Sequence, residues 1–261
     1  MTNIIIDTHT HLDYLKEITI DEVVGTAGGL GIETIVTISV EPTNLMTVFN
    51  IANKYPNVYG TQGIHPHEAK HYNEEIKQII QANANHPKIV ALGEMGLDYF
   101  YLHSTRDEQI FAFESQLELA SQLELPVVIH SRDAEEDTIA ILKNFGNKFS
   151  RKAVIHSFTG TNKLADFALE QNYFIGVNGI ITFKSAKALR DIIKNVPSQN
   201  LIIETDAPFL APVPHRGKEN NSLYLPQVFE SLFQLKMHEI DLKQFQKIIY
   251  QNSRDLFFKI K

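Results

Sequence analysis

The sequence predicts a single-domain (β/α)8 barrel, the TIM barrel of the α/β class, over residues 1–261. Eight short apolar stretches alternate with stretches of helical periodicity along the chain. The short stretches are apolar at nearly every position, which indicates strands buried on both faces, as in a parallel sheet. The length of 261 residues also agrees with the roughly 250 residues typical of one such barrel. An open doubly wound sheet is the alternative, but it would separate the first strand from the eighth, which a barrel makes neighbours.

The first half of the chain contains four of the predicted strands. They cover residues 3–11, 33–38, 57–64 and 88–93, and helices are predicted near 20–30, 44–54 and 73–83. The glycines at positions 28, 29 and 31 follow the first helix rather than precede one, and they lack the Lys-Ser/Thr of a phosphate-binding loop. They therefore predict the C-terminal cap of that helix.

The second half contains the other four strands, predicted at residues 126–129, 152–155, 173–177 and 201–206. Thr105 and Glu108 have the spacing of a capping box, which predicts a helix that ends near residue 124. Asp133 is expected to cap the helix after the fifth strand, and Asn178 with Gly179 is expected to form a turn after the seventh. The last predicted helices cover about 225–235 and 240–258.

The composition is that of an ordinary globular protein. It is 43% hydrophobic and 21% charged, with a formal net charge of −7 and no cysteine. The negative charge argues against a protein that coats nucleic acid through a basic face. The lack of cysteine excludes disulfides, thiolate nucleophiles and cysteine-based zinc sites. No apolar stretch has the length of a membrane span, and the first residues do not resemble a secretory signal, so a cytoplasmic protein is expected.

Residues that can bind metal stand at the ends of five predicted strands. His9 and His11 are two positions apart, so their side chains leave the same face of the first strand. The other members of the set are Glu94, His130, His156 and Asp206. One such residue is common by chance, but a barrel directs the C-terminal ends of all its strands at one pocket. The set therefore favours a metal site over separate polar residues satisfied within the core.

Six potential ligands exceed the needs of one tetrahedral ion, so two divalent ions are predicted. Glu94 can bridge them with its two oxygens; His9, His11 and Asp206 would complete one ion, and His130 with His156 the other. Nitrogen and carboxylate ligands suit zinc, manganese, iron, cobalt or nickel, and carboxylates also suit magnesium. Such ions lower the pKa of a bound water, and paired ions stabilise both oxygens of an ester displacement. The catalytic residues are predicted to be Glu94, the bridge, and Asp206, the general base.

Cationic side chains near the same strand ends suggest a phosphate-containing substrate. Arg132 follows His130 by two residues, and Arg216 and Lys218 follow the eighth strand. The alternative interpretation is a solvated surface loop, and it carries most weight for Lys218. His65 is expected to contact a phosphate or a further metal ion. The remaining histidines are interpreted as surface residues, namely His67, His71, His86, His103, His215 and His238.

Seven motifs in order give the whole chain its resemblance to a known family. They are Asp7-x-His9-x-His11, Gly63-Ile64-His65-Pro66, Gly93-Glu94-Met95-Gly96-Leu97-Asp98, Ile129-His130-x-Arg132, His156-Ser157-Phe158-Thr159-Gly160, Glu204-Thr205-Asp206-x-Pro208 and Arg216-Gly217-Lys218. In these motifs the chain resembles the TatD family of metal-dependent deoxyribonucleases, within the amidohydrolase-like barrels. The resemblance implies a two-metal hydrolase that cleaves DNA phosphodiesters. It also implies the six metal ligands named above and assistance at the site from His65 and Glu204.

One segment departs from the family pattern. The family often continues Arg-Gly-Lys with a basic residue and Asn-Glu-Pro, whereas this chain reads Glu219-Asn220-Asn221-Ser222. The departure lies on the substrate loop, so it concerns nucleic-acid preference more than hydrolysis.

The leading hypothesis is a deoxyribonuclease acting on single strands or ends by a metal-activated water, with DNA as a transient partner. No membrane association and no obligate protein partner are expected. An ester or amide hydrolase, such as a D-aminoacyl-tRNA deacylase, is the alternative, because some proteins similar in motif are linked to that reaction. A non-catalytic barrel that binds metal or nucleic acid is a third interpretation.

Overall fold

Eight parallel strands lie side by side in chain order in the computed structural model of the protein, which describes residues 4–261. They are β1 Ile5–Thr10, β2 Ile32–Thr37, β3 Val58–Gln62, β4 Ile89–Asp98, β5 Val127–Arg132, β6 Ala153–Ile155, β7 Phe174–Val177 and β8 Leu201–Ile203. Each strand pairs with the next in parallel register. The first strand was predicted to begin at Asn3, which lies outside the described residues.

Hydrogen bonds between β1 and the residues after β8 close the barrel. The Asp206 N–H donates to the His9 carbonyl at 2.9 Å, and the His11 N–H donates to the Ala207 carbonyl at 2.7 Å. The Thr8 hydroxyl donates to the Ile203 carbonyl at 2.8 Å. The (β/α)8 prediction is therefore confirmed, and the open sheet is not adopted. The single domain over 1–261 stays a prediction.

Helices follow the strands and cover the outside of the barrel. They are α1 Ile20–Ala27, α2 Leu45–Lys54, α3 Glu74–Ala84, α4 Arg106–Gln122, α5 Glu135–Lys143, α6 Asn162–Glu170, α7 Lys187–Asn195, α8 Leu225–Lys236 and α9 Leu242–Leu256. The Thr105–Glu108 capping box forms as predicted at the start of α4. Gly31, at φ +82°, ends the short 3-10 turn that extends α1, as the glycine cluster predicted. No helix between residues 4 and 261 is long and apolar enough to cross a membrane.

Alternate strand residues build two apolar clusters. Ile5 and Val127 belong to the larger cluster between strands and helices, whereas their neighbours Ile6 and Val128 belong to a smaller cluster. Phe257, from the end of the chain, packs into that smaller cluster. These four strand residues precede the ligand-type residues on the same strands. The functional side chains therefore lie directly above a packed apolar core.

Several local predictions were wrong. Strand β4 continues to Asp98 instead of ending before Glu94, and its pairing to β5 resumes at Met95 after a register shift. Asp133 does not cap α5, because its own backbone is left-handed at φ +53° and the helix begins after Ala134, without a side-chain cap. By contrast, the turn predicted at Asn178 and Gly179 does form, as a 3-10 turn in which Asn178 accepts a hydrogen bond from the Ile180 N–H.

Two further differences concern the last third of the barrel. Helix α6 lies between the sixth and seventh strands and α7 between the seventh and eighth, where no helix bounds were predicted. Strand β8 ends at Ile203, so Glu204 and Asp206 lie beyond the strand. The alternation of side chains along a strand therefore does not determine where these two carboxylates point. Asp206 has a left-handed backbone at φ +56°, and this turn directs its carboxylate at the β1 histidines.

Candidate metal centre

Glu94 stands at the centre of the histidine cluster. Its Oε1 atom lies 2.7 Å from His156 Nε2 and 2.9 Å from His130 Nδ1, and its Oε2 atom lies 3.3 Å from His9 Nε2. The side chain is buried. The structure thus brings residues from β1, β4, β5 and the end of β6 together around one carboxylate, whose two oxygens face different histidines.

A second group lies on the β1 side of Glu94. Oδ1 of Asp206 is 3.6 Å from His11 Nε2 and 3.7 Å from His9 Nε2. The ligand-type atoms of these three residues lie within 4.8 Å of one another, and the same holds for His9, Glu94 and His156. His9 and Glu94 therefore stand where the two predicted groups meet.

The residues present fit divalent ions. His130 Nδ1 and His156 Nε2 face each other at 3.4 Å, with a carboxylate oxygen of Glu94 within 2.9 Å of both. Both ring nitrogens of buried His9 lack a hydrogen-bond partner among residues 4–261, and so does Nδ1 of His11. Of these nitrogens, His9 Nε2 faces Glu94 and Asp206, and a buried imidazole nitrogen without a partner is costly unless a cation accepts its lone pair.

The pKa shifts within the cluster also favour a cation beside Glu94. Burial would raise the pKa of Glu94, but the charges of His156 and His65 and hydrogen bonds from the histidines outweigh it and hold that pKa well below its usual range. Burial would lower the pKa of His156, but attraction to Glu94 and Glu204 raises it well above its usual range. Burial lowers the pKa of His65 to about 4. A protonated His156 thus neutralises Glu94 in the metal-free protein, and a bound ion would replace that proton.

Two outer carboxylates lie behind the histidines that face Glu94, and one of them hydrogen-bonds its histidine. Asp98 Oδ2 lies 3.1 Å from His130 Nε2, so that the Nδ1 atom of His130 is left facing the centre. Glu204 Oε1 lies 3.6 Å from His156 Nδ1 and accepts a hydrogen bond from the Ser157 N–H. A carboxylate behind a metal-binding imidazole fixes its tautomer and ring orientation. Glu204 fits here because Gly176 has no side chain; a Cβ there would lie 2.7 Å from its Oε2 atom.

His65 and His67 extend the cluster towards the mouth. His65 Nε2 lies 3.4 Å from Glu94 Oε1, and His65 forms a third close group with Glu94 and His130. His67 was interpreted as a surface residue, and this was wrong. Its Nε2 atom lies 3.1 Å from Asp98 Oδ2, and its ring lines the pocket. The short 3-10 turn that begins at Pro66 folds it back towards His65.

A pocket of about 750 Å³ opens above these side chains. Arg132 lines its mouth, with its guanidinium 4.2 Å from the ring centre of Phe100 and 4.8 Å from that of Tyr101. Among the pocket-lining residues in the described part of the chain, Arg132 is the only lysine or arginine. Phe209 lines another part of the pocket, beside His11.

The predicted cations after β8 lie elsewhere. Arg216 stacks on Phe183 at 3.7 Å, Lys218 is exposed, and neither is among the pocket-lining residues of 4–261. Their role in substrate binding stays a prediction. Glu219, at the departure from the family pattern, accepts hydrogen bonds from the backbone N–H groups of Lys16 and Glu17 at 2.9 and 2.8 Å. Its carboxylate therefore ties the loop after β1 to the loop after β8.

Asp98, His67 and Tyr101 belong to the site but were not predicted as parts of it. Asp98 follows Glu94 by four residues, and a longer fourth strand would have included it. His67 follows His65 by two, which is the His-x-His spacing that identified His9 and His11. Nothing local marked Tyr101, which enters the pocket only through the fold.

Comparisons with known proteins identify the family that the chain resembles. The model of the family described as TatD related DNase matches residues 6–258. The chain is 36% identical to an uncharacterized metal-dependent hydrolase, YabD, of Bacillus subtilis, over 96% of this chain and 98% of that protein. It is 34% identical to a 3′-5′ ssDNA/RNA exonuclease TatD of Citrobacter rodentium, over 81% and 82%. The crystal structure of the TatD homologue YjjV from Escherichia coli has a TM-score of 0.91 to it, with 29% identity over 99% of both chains.

Proposed function

The chain belongs to the TatD family of metal-dependent hydrolases, and from this premise we propose that it cleaves phosphodiester bonds of DNA, acting on single strands or strand ends. One observation carries the proposal: Glu94 is shared between two groups of histidines, with Asp206 beside one group and Arg132 at the pocket mouth. Relatives named as 3′-5′ ssDNA/RNA exonucleases support it.

We assign two divalent ions to this centre. His9, His11 and Asp206 would hold one, His130 and His156 the other, and Glu94 would contribute an oxygen to each. Paired ions of this kind polarise the phosphoryl oxygens and lower the pKa of water, so that hydrolysis proceeds near neutral pH. Imidazole and carboxylate ligands are compatible with zinc, manganese, iron, nickel or magnesium.

Asp206 is assigned as the general base. Burial would raise its pKa, but the hydrogen bond from His11 and the charges of His9, His156 and His11 lower it below the usual range. The carboxylate is therefore ionised at neutral pH and can accept the proton that the attacking water loses. Asp206 and His11 both line the pocket and lie 3.6 Å apart, so the Asp206 carboxylate can contact a substrate or a water in the pocket.

The remaining site residues bind and orient. Arg132 offers the pocket a cation that can meet a phosphate oxygen, and His65 offers a ring nitrogen near Glu94 for the same purpose. Glu204 lies 3.6 Å from the outer nitrogen of His156 and stabilises the charged form of that ring. The chain's own residues thus supply a base, an anion-binding mouth and a rigid set of ligands.

Incubation of metal-depleted protein with end-labelled single-stranded DNA, with each divalent ion added in turn, tests the proposal. We expect progressive shortening of the strand with at least one ion and none with chelator. An intact strand with every ion would overturn the proposal. The alternative ester or amide hydrolase predicts free amino acid from D-aminoacyl-tRNA under the same conditions, with the strand left whole, so analysis of the products separates the two.

A further inference from the structure

Two neighbouring aromatic rings stand exposed at the mouth of the metal centre. Phe100 is 55% exposed and Tyr101 is 50% exposed, although both follow directly from the buried strand β4. Tyr101 lines the pocket, and its ring centre lies 5.5 Å from that of His67. Exposed aromatic surface is unfavourable in water, and a patch of it beside a pocket is typical of a binding site.

The two rings are held in place rather than loose. Asp98 Oδ1 accepts hydrogen bonds from the backbone N–H groups of Phe100 and Tyr101, both at 3.0 Å. The guanidinium of Arg132 packs over both rings, and His103 stacks nearly parallel to Tyr101 with ring centres 5.8 Å apart. A ring fixed in this way loses little conformational entropy when a flat ligand packs against it.

The same carboxylate joins this surface to the metal centre. Oδ2 of Asp98 holds His130, whose other ring nitrogen faces Glu94. Tyr101, Arg132 and Glu94 line one pocket, so a phosphate bound near Glu94 would share that pocket with the Tyr101 ring and the Arg132 guanidinium.

We infer that Tyr101 and Arg132 form a stacking surface for the nucleobase next to the scissile phosphate. The inference rests on the proposed function and adds the part of the site that reads the base. One cation and two exposed rings suit a single nucleotide unit, because duplex binding needs several phosphate contacts. Aromatic rings and guanidinium planes both stack on bases without regard to sequence.

Cleavage of two oligonucleotides by the metal-loaded protein tests the inference. One carries a normal terminal base and the other an abasic terminal nucleotide. We expect the wild-type kcat/KM to favour the normal strand by about 10-fold, within the range that stacking on an aromatic residue supplies. Tyr101→Leu should reduce that preference to about 2-fold or less, whereas Tyr101→Trp should retain it. The matched control is Phe111→Leu, since Phe111 is 61% exposed but lies on α4 and does not line the pocket.

A binding measurement separates this inference from the proposed function. The fluorescence of 2-aminopurine at the strand end should be quenched by wild-type protein and by Phe111→Leu, but not by Tyr101→Leu. Quenching that depends on Tyr101 supports the stacking surface even if no strand is cut. The absence of cutting would then contradict the proposed function but not the stacking surface. Equal cleavage of normal and abasic strands, or quenching that survives Tyr101→Leu, overturns the inference. A change in oligomeric state on Tyr101→Leu without any loss of quenching also overturns it, because the patch would then be a protein interface.

Discussion

Asp98 Oδ2 lies 3.1 Å from Nε2 of His130, and the opposite nitrogen of that imidazole lies 2.9 Å from Glu94. Burial would raise the pKa of Asp98, but hydrogen bonds from His130 and His67 hold it far below its usual range. The carboxylate is therefore ionised and accepts from His130, which leaves the Nδ1 lone pair directed at the metal centre. Asp98, which closes one of the seven motifs but was given no role there, thus sets the tautomer of a predicted ligand.

Asp98→Asn should weaken metal binding by about 10- to 100-fold, the range found for partners behind metal-binding histidines. The neutral side-chain amide of asparagine binds the His130 N–H less strongly than a carboxylate does. It can also turn its NH2 group, a donor, towards His130 in place of an acceptor. Competition against a chromophoric chelator measures the affinity directly. Asp137→Asn is the control, because Asp137 accepts a hydrogen bond from the Tyr99 hydroxyl on the same side of the barrel and touches no predicted ligand. Unchanged affinity in Asp98→Asn would contradict the positioning role.

Asp206→Asn should reduce kcat by at least about 100-fold while leaving the fold intact, because an amide cannot accept the proton of the attacking water. Steady-state cleavage of single-stranded DNA measures the effect, and circular dichroism checks the fold. Glu68→Gln provides a comparison, since Glu68 lines the pocket but pairs with His71 outside the ligand set. A folded Asp206→Asn protein with wild-type turnover would show that the base lies elsewhere.

Gly96→Ala should destabilise the protein by about 3 kcal/mol or more and displace His130. Gly96 has φ +145°, and a Cβ there would lie 2.0 Å from the backbone carbonyl oxygen of His130. Urea unfolding measures the loss, and the metal affinity reports the displacement. Gly29→Ala is the matched control, because a Cβ at Gly29 meets no described atom within 4 Å. Equal stability of the two variants would be inconsistent with the close approach of β4 to β5.

Asp7→Asn should flatten the pH dependence of stability in the metal-depleted protein. Burial raises the pKa of Asp7 to about 7, although hydrogen bonds from Thr205 lower it in part. The unfolded chain ionises near 3.8, so the native state binds more protons between these values and the free energy of unfolding falls as pH rises from about 4 to 7. The fall attributable to Asp7 reaches about 4 kcal/mol and ceases above pH 7.

Asparagine suits this test because it can keep both partners of Asp7. Its carbonyl can accept from the Thr205 N–H, and its amide can donate to the Thr205 hydroxyl, which now donates to Asp7 at 2.7 Å. Unfolding measured at pH 4, 5.5, 7 and 8 in both proteins isolates the Asp7 contribution as a difference. Parallel curves would mean that Asp7 is ionised throughout this range.

The barrel and the six predicted ligands could be inferred from sequence because both depend on local patterns. A β-branched apolar run that stops at His9 or His130 gives the strand, its direction and its functional end together. The resemblance of seven motifs to one family implied the reaction and the assisting roles of His65 and Glu204. Long-range partners were less accessible: nothing local reveals that β4 continues to Asp98, or that Arg132 packs on Phe100 and Tyr101 instead of extending into solvent.

Backbone conformation was the other feature that could not be predicted from the sequence. Asp133 and Asp206 both have left-handed φ angles, and this moves the first away from the cap of α5 and turns the second towards His9 and His11. Such conformations are uncommon outside glycine, so propensity does not predict them. The identity of Arg216 as a basic residue suggested substrate contact, but only coordinates could place it on Phe183.

The joining of β1 to the turn after β8 has a consequence for synthesis on the ribosome. Asp7 and Thr205, which clamp this seam, are 198 positions apart. At roughly 5–20 residues per second, the histidines of the first strand leave the exit tunnel about 10–40 s before the carboxylate that completes their group. The six predicted ligands are therefore all outside the ribosome only when translation is almost finished, and a product truncated before β8 would lack both the seam and Asp206.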